Sequence, residues 1–289
     1  MSVSLPPFTS HFATLASAYD VLLCDVWGVV HNGVAATPES CDALMRFRSQ
    51  GGTVILITNA PRPGEVVMQF IDRLKVPRAA YDGIVSSGDV TRAEMAERIG
   101  KSVFHLGPAR DLPIFDGLDL RITTVESADY VVCSGLFDDT VETPQDYQGL
   151  IETMHGRGLL MICANPDIVV ERGAQLVYCA GAVADLYAAA GGNVLYAGKP
   201  YRPIYERALA CAQTMRGRPV DHRRVLAIGD SVRTDLKGAV AFGIECLFVT
   251  AGIHAEELGG RDSPDPAALN DIFAAAGLYP KTVMRRLEW

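Results

Sequence analysis

Short apolar runs alternate along this chain with segments whose apolar residues recur at helical spacing. Val21 to Cys24 is uninterrupted apolar sequence running into Asp25. That is the pattern of a strand buried on both faces, delivering a carboxylate to the carboxyl edge of a parallel sheet. Thr37-Pro38 then reads as an N-cap and first helical residue, with Cys41, Leu44 and Met45 on one face and Gly51-Gly52 as the stop. Thr53 to Ile57 is the next strand, finishing at Thr58-Asn59, so one βαβ unit presents Asp25 and Thr58 along one edge. Gly64 to Lys75 is a further helix, Pro77 closes the first half, and an Ala-rich stretch from Phe12 to Tyr19 forms a short helical lead-in.

A second alternating set runs from Ile84 to Ala190, with strands at Ser102 to Leu106, Tyr130 to Cys133 and Leu159 to Cys163. Its clearest helix starts at Thr143-Pro144 and runs to His155, closed by Gly156. Near Asn193 the first pattern resumes. A helix spans Ile204 to Thr214, an apolar strand Val225 to Ile228 enters Gly229-Asp230, and a helix from Thr234 to Phe242 stops at Gly243. Cys246 to Val249 is another buried strand, and the remainder, with a helix at Ala267 to Ala276, is a tail on the core. The expected organisation is an α/β fold: a doubly wound, Rossmann-like parallel-sheet core of residues 1–83 and 191–289, interrupted by an α/β domain at 84–190.

Composition narrows the function. The net charge of −8 argues against a nucleic-acid surface, which needs clustered Lys and Arg to neutralise phosphates. Seven cysteines are scattered singly, with no Cys-x-x-Cys pair, as reduced, buried thiols are. The N-terminal residues lack a basic, then apolar, signal pattern, and no stretch approaches ~18 uninterrupted apolar residues, so the expectation is a cytoplasmic chain without membrane association. Oligomeric state is not legible, and a homo-oligomer is left open.

Four chemical signals stand in order: Asp25 after a strand, Thr58 after a strand, Lys199 opening a helix, and Asp230 after a strand with Asp235 five residues on. Strand ends in a doubly wound sheet share one crevice, so distant residues converge there. Asp25 and Asp230 make a hard-oxygen pair suited to Mg²⁺, which binds phosphate alongside one or two carboxylates. Lys199 would balance the charge on a nucleophilic aspartate and its phosphoryl group, and the Thr58 hydroxyl would donate to a phosphoryl oxygen. Singly, Asp25 fits a turn-capping carboxylate, Thr58 a helix cap and Lys199 a solvated lysine; their order carries the reading. No Gly-x-Gly-x-x-Gly, Gly-x-Ser-x-Gly or His-Glu-x-x-His occurs, and Pro200 disqualifies Gly198-Lys199 as a P-loop.

These residues resemble the haloacid dehalogenase superfamily hydrolases of class IIA, which include para-nitrophenyl-phosphatase-like and sugar-phosphatase-like members. Asp25-Val-Trp-Gly-Val matches the first motif, Ile57-Thr58-Asn59 the second, Gly198-Lys199-Pro200 the third, and Gly229-Asp230 through Thr234-Asp235 the fourth. Asn165-Pro166-Asp167 and Gly181-Ala182 also resemble the class IIA pattern, and the 140 residues between Thr58 and Lys199 leave room for a class II cap. The resemblance implies a Mg²⁺-dependent phosphatase acting on a small phosphorylated metabolite, with a mobile cap choosing the substrate. It implies Asp25 as the nucleophile that forms an aspartyl-phosphate, with Thr58 and Lys199 as its catalytic partners. Mg²⁺ would be held by Asp25, Asp230 and the backbone carbonyl of Trp27, with Asp235 at or behind the metal site. Asn59 is expected at the substrate.

Trp27 departs from the pattern, because family phosphatases carry a second Asp two residues after the nucleophile as general acid and base. That function is worth ~10²–10⁴-fold in rate, so turnover on alkyl phosphates should be low, while aryl or acyl phosphates leave without a proton. Trp27 equally fits a bulky side chain filling a gap, and His31 is a candidate replacement acid or substrate contact. Arg62, Arg233, Asp89 and Asp185 read more simply as surface charge. The competing function is a weak or inactive phosphate-ligand binding or regulatory protein on the same fold.

Overall fold

The computed structural model describes residues 6–172 and 175–289. Its strands in chain order are β1 Val21–Asp25, β2 Thr53–Thr58, β3 Gly83–Ser86, β4 Ser102–Leu106, β5 Arg121–Ile122, β6 Tyr130–Cys133, β7 Leu160–Cys163, β8 Val169–Arg172, β9 Gln175–Tyr178, β10 Asn193–Tyr196, β11 Val225–Gly229, β12 Glu245–Val249 and β13 Thr282–Met284. The chain divides into two compact units. One comprises the residues up to Thr58 with Met68–Val85 and Tyr205–Trp289; the other comprises Asn59–Val67 and Ser86–Ile204.

The first unit is built on a six-stranded sheet of order β13-β12-β11-β1-β2-β3. β1 lies at its centre, pairing in parallel with β11 and β2. Successive strands proceed from β1 towards β3 on one side, while β11 to β13 fill the other, so the topological switch point lies between β1 and β11. Every residue of β1, β2 and β11 is buried, which accounts for their unbroken apolar sequence. Register aligns the strand ends: Asp25 lies opposite Ile57, and Cys24 opposite Ile228. The switch point therefore carries Asp25 level with Thr58 on one side and with Gly229-Asp230 on the other, where parallel sheets bind ligands.

The second unit holds a five-stranded sheet of order β10-β7-β6-β4-β5 and an antiparallel hairpin of β8 and β9. The helices Gln148–Gly156 and Ala180–Ala189 contribute Ile151, Met154, Val183 and Tyr187 to a buried cluster with Val131 and Met161 of the sheet. The parallel α/β architecture matches the expected fold class. Asn193–Tyr196, however, does not return to the first sheet as the expected boundary at 190/191 requires. It pairs with β7 in the second sheet. The C-terminal tail likewise carries a strand, β13, which extends the first sheet beyond β12. Among the described residues no helix is long and apolar enough to cross a membrane.

Candidate active site

At the carboxyl edge of the first sheet, Asp25, Asp230 and Asp235 each offer an oxygen, and these atoms lie within 4.8 Å of one another. All three residues are buried. Backbone amides hold them in place: Val26 N–H donates to Asp25 Oδ1 at 2.7 Å, Ile253 N–H to Asp230 Oδ2 at 2.8 Å, and Ser231 N–H to Asp235 Oδ2 at 3.2 Å. Space comes from glycines. A Cβ on Gly28 would lie 2.0 Å from Asp230 Oδ2, one on Gly252 1.9 Å from the same oxygen, and one on Gly229 2.1 Å from Asp235 Cγ. Gly28 also has φ +83°, a conformation that side chains rarely adopt.

Two carboxylates at such a separation repel by about 3 kcal/mol per ionised pair at an effective dielectric of ~20. A buried trio of this kind is stabilised by a cation, and an all-oxygen donor set suits a hard divalent ion. The three aspartates therefore fit the Mg²⁺ implied by the sequence motifs. Thr58, the last residue of β2, is buried at the same edge, one position beyond the partner of Asp25.

Lys199 and Asn59 belong to the second unit and are bound to each other. Lys199 N–H donates to Asn59 Oδ1 at 2.7 Å, while Asn59 Nδ2 donates to the Lys199 carbonyl at 3.1 Å and to Asp167 Oδ1 at 3.0 Å. Both donor hydrogens of the amide are thereby engaged. The Asn59 side chain grips the backbone of Lys199, which is itself 2% exposed. Gly198 permits this approach, since a Cβ there would meet Asn59 Oδ1 at 2.4 Å and Pro166 Cδ at 2.7 Å.

The loop after Asp25 settles the place of His31. Its ring lies edge-on between Trp27, with centroids 5.0 Å apart, and Phe70, with centroids 5.7 Å apart. Gly33 N–H donates to His31 Nδ1 at 2.9 Å, so that nitrogen is unprotonated. Burial holds its pKa down to about 4, and it is neutral at neutral pH. His31 thus braces the loop through Trp27, Phe70 and the Gly33 amide. The half-buried Trp27 indole lies over Gly33, where a Cβ would come within 2.6 Å of Cζ2. The indole consequently packs across its own loop.

The remaining charged residues have structural partners. Asp89 accepts from Ser86 N–H at 3.0 Å and from Gly64 N–H at 3.1 Å, capping two helices. Arg62 Nε donates to the buried Asp111 at 2.9 Å, and Asp185 accepts from the Tyr196 hydroxyl at 2.7 Å. Sequence reasoning missed the part played by Gly252, which adjoins Asp230 in space but stands 22 positions away in the chain. It also quoted Asn165-Pro166-Asp167 without the contact that gives the motif its use.

Comparison with known proteins agrees with this geometry. The family model described as haloacid dehalogenase-like hydrolase matches residues 22–121, and one described as HAD-hydrolase-like matches residues 196–276. A crystal structure of a haloacid dehalogenase-like family hydrolase from Brucella suis is 50% identical, with TM-score 0.82, covering 86% of this chain and 94% of that one. D-glycerol 3-phosphate phosphatase of Mycobacterium tuberculosis is 28% identical over 84% of this chain and 66% of its own length, so the chain spans about two thirds of that relative. The ribonucleotide monophosphatase NagD of Escherichia coli is 23% identical over 81% of this chain and 88% of its own. With the motif residues at the edge of a doubly wound sheet, the chain belongs to the haloacid dehalogenase-like hydrolases, in their class IIA branch.

Proposed function

We propose that this chain is a phosphoric monoester hydrolase that acts on a small phosphorylated metabolite through an aspartyl-phosphate on Asp25, with Mg²⁺ as its cation. The observation that carries this reading is the buried Asp25, Asp230 and Asp235 cluster at the switch point. The phosphatase names of the Mycobacterium tuberculosis and Escherichia coli relatives support it. In the first step a carboxylate oxygen of Asp25 attacks phosphorus, and the bond to the leaving-group oxygen breaks. In the second, water attacks phosphorus, the Asp25–phosphoryl bond breaks, and inorganic phosphate departs. Thr58 donates its hydroxyl hydrogen to a phosphoryl oxygen, and the Lys199 ammonium balances the anionic charge. Asp25, Asp230 and Asp235, with the Trp27 carbonyl, would hold Mg²⁺, which would supply charge neutralisation. The second sheet, of order β10-β7-β6-β4-β5, is assigned within this reading to an inserted cap.

Trp27 has no carboxylate to protonate a leaving alcohol or to deprotonate water. Turnover of alkyl phosphates is therefore low, and aryl and acyl phosphates are the better substrates. The same residue favours one alternative, a phosphate-ligand binding protein with little turnover. A panel of phosphorylated metabolites and para-nitrophenyl phosphate, read both for phosphate release and for thermal shift with Mg²⁺ or with EDTA, separates the two. Mg²⁺-dependent release is the expected outcome. Mg²⁺-dependent shifts without release on any compound would establish the binding protein.

A further inference from the structure

We infer that Asp167 is a positioning residue for Lys199, acting through the side-chain amide of Asn59. The inference rests on the proposed phosphatase reading, since it assigns Asp167 a part in that reaction. A lysine that must meet developing charge needs a fixed backbone, because four rotatable bonds already separate its ammonium from the chain. Asn59 supplies this, accepting from Lys199 N–H and donating to Lys199 C=O. An amide can bind a backbone N–H and C=O in this way in only one of its two orientations. The Asp167 carboxylate holds the amide in that orientation. An ionised carboxylate only accepts, so Asp167 Oδ1, 3.0 Å from Nδ2, requires the NH₂ end to face it and turns Oδ1 towards Lys199 N–H.

Asp167 is in turn held by its own loop. Its N–H donates to Asn165 Oδ1 at 3.2 Å, and Gly181 N–H donates to the carbonyls of Asn165 at 2.8 Å and Asp167 at 3.1 Å. Gly181 is required there, because a Cβ would sit 2.4 Å from the Pro166 carbonyl oxygen. Asn165-Pro166-Asp167, Gly181 and Gly198 thus form one support, and the sequence features that looked like separate family marks converge on the backbone of one lysine. All of them lie in the second unit.

The test compares Asp167→Ala and Asp167→Asn with wild type, each checked by thermal melting, using para-nitrophenyl phosphate with Mg²⁺. Asp167→Ala is expected to lower kcat by up to ~100-fold, the cost of misplacing a catalytic group by about 1 Å, with KM little changed. Asp167→Asn, which still presents a carbonyl oxygen to Asn59, restores most of the rate. Wild-type kcat in Asp167→Ala, or equal damage from both variants, overturns the inference. If Asp167→Ala does not fold, Asn59→Asp serves: it keeps the acceptor for Lys199 N–H but sets an acid against Asp167, so the same loss of kcat is expected and an undiminished rate overturns the inference. Labelling of Lys199 by an amine-directed reagent, followed by mass spectrometry, reads the clamp without turnover. Faster labelling of Lys199 in Asp167→Ala supports it, and an unchanged rate contradicts it. If wild type releases no phosphate from any compound, the phosphatase reading fails, while the labelling result still decides the positioning of Lys199.

Discussion

The anionic and cationic parts of the proposed chemistry are held by opposite means. In the first unit Asp25 and Asp230 stand at strand ends and Asp235 in the helical turn that follows, with backbone amides donating to their short carboxylates in space cleared by Gly28, Gly229 and Gly252. In the second unit the cation is on a long side chain, and the fold secures its backbone through Asn59 and Asp167. An aspartate has two side-chain torsions to fix, so a strand end and an empty neighbouring Cα suffice. A lysine keeps its tip adjustable, so the fold fixes its base. Substitutions in the first unit should accordingly act through the nucleophile and cation binding, whereas those in the second should act through the placement of the lysine.

The largest expected effect is at the nucleophile. Asp25→Asn removes the attacking oxyanion and should lower kcat on para-nitrophenyl phosphate by at least ~10⁴-fold, by comparison with the removal of other enzyme nucleophiles. Next is the space around the carboxylates. Gly252→Ala forces Asp230 away from its 2.8 Å bond to Ile253 N–H, and a ~10–100-fold loss of Mg²⁺ affinity is expected by calorimetry. If affinity is undiminished, the glycine cradle is irrelevant to cation binding.

A smaller effect is predicted at Trp27. Trp27→Asp restores a proton donor and should raise turnover of an alkyl phosphate about tenfold more than that of para-nitrophenyl phosphate. Equal changes on both substrates would show that the indole does not limit proton transfer. The smallest effect is on stability. Burial lowers the His31 pKa from 6.5 to about 4, so between those values the unfolded chain binds a proton that the folded chain does not. This contribution is fully present above pH 6.5 and is lost as pH falls towards 4, with a slope of up to ~1.4 kcal/mol per pH unit. His31→Gln should flatten the acid limb of urea-unfolding free energy against pH by about that amount. An unaltered limb would mean that other groups carry it.

The contrast between the units also explains what was legible in the sequence. Asp25, Thr58 and Asp230 announced themselves because an apolar run that stops at a polar residue is a local signal, and a parallel sheet brings such ends together. The helix at Ala180–Ala189 gave no amphipathic signal, because its Ala-rich sequence is buried on most sides. The membership of Asn193–Tyr196 in the second sheet was hidden because so short a strand segment does not state which sheet it joins. The bonds of Asn59 to the Lys199 backbone were hidden for a related reason. An amide beside Thr58 suits substrate binding as well as backbone binding, and its three contacts to Lys199 and Asp167 become visible only in the fold. His31 looked free to titrate until two rings and the Gly33 amide enclosed it.

The most direct test of the central claim is a rapid acid quench of the Mg²⁺-loaded chain during turnover of para-nitrophenyl phosphate, followed by peptide mapping. The leaving nitrophenolate needs no proton, whereas hydrolysis of the phosphorylated aspartate lacks the base that Trp27 cannot supply. A burst of nitrophenolate is expected, together with phosphoryl label on the peptide containing Asp25, both abolished in Asp25→Asn. Steady turnover with no label at Asp25, or label on another residue, would contradict it.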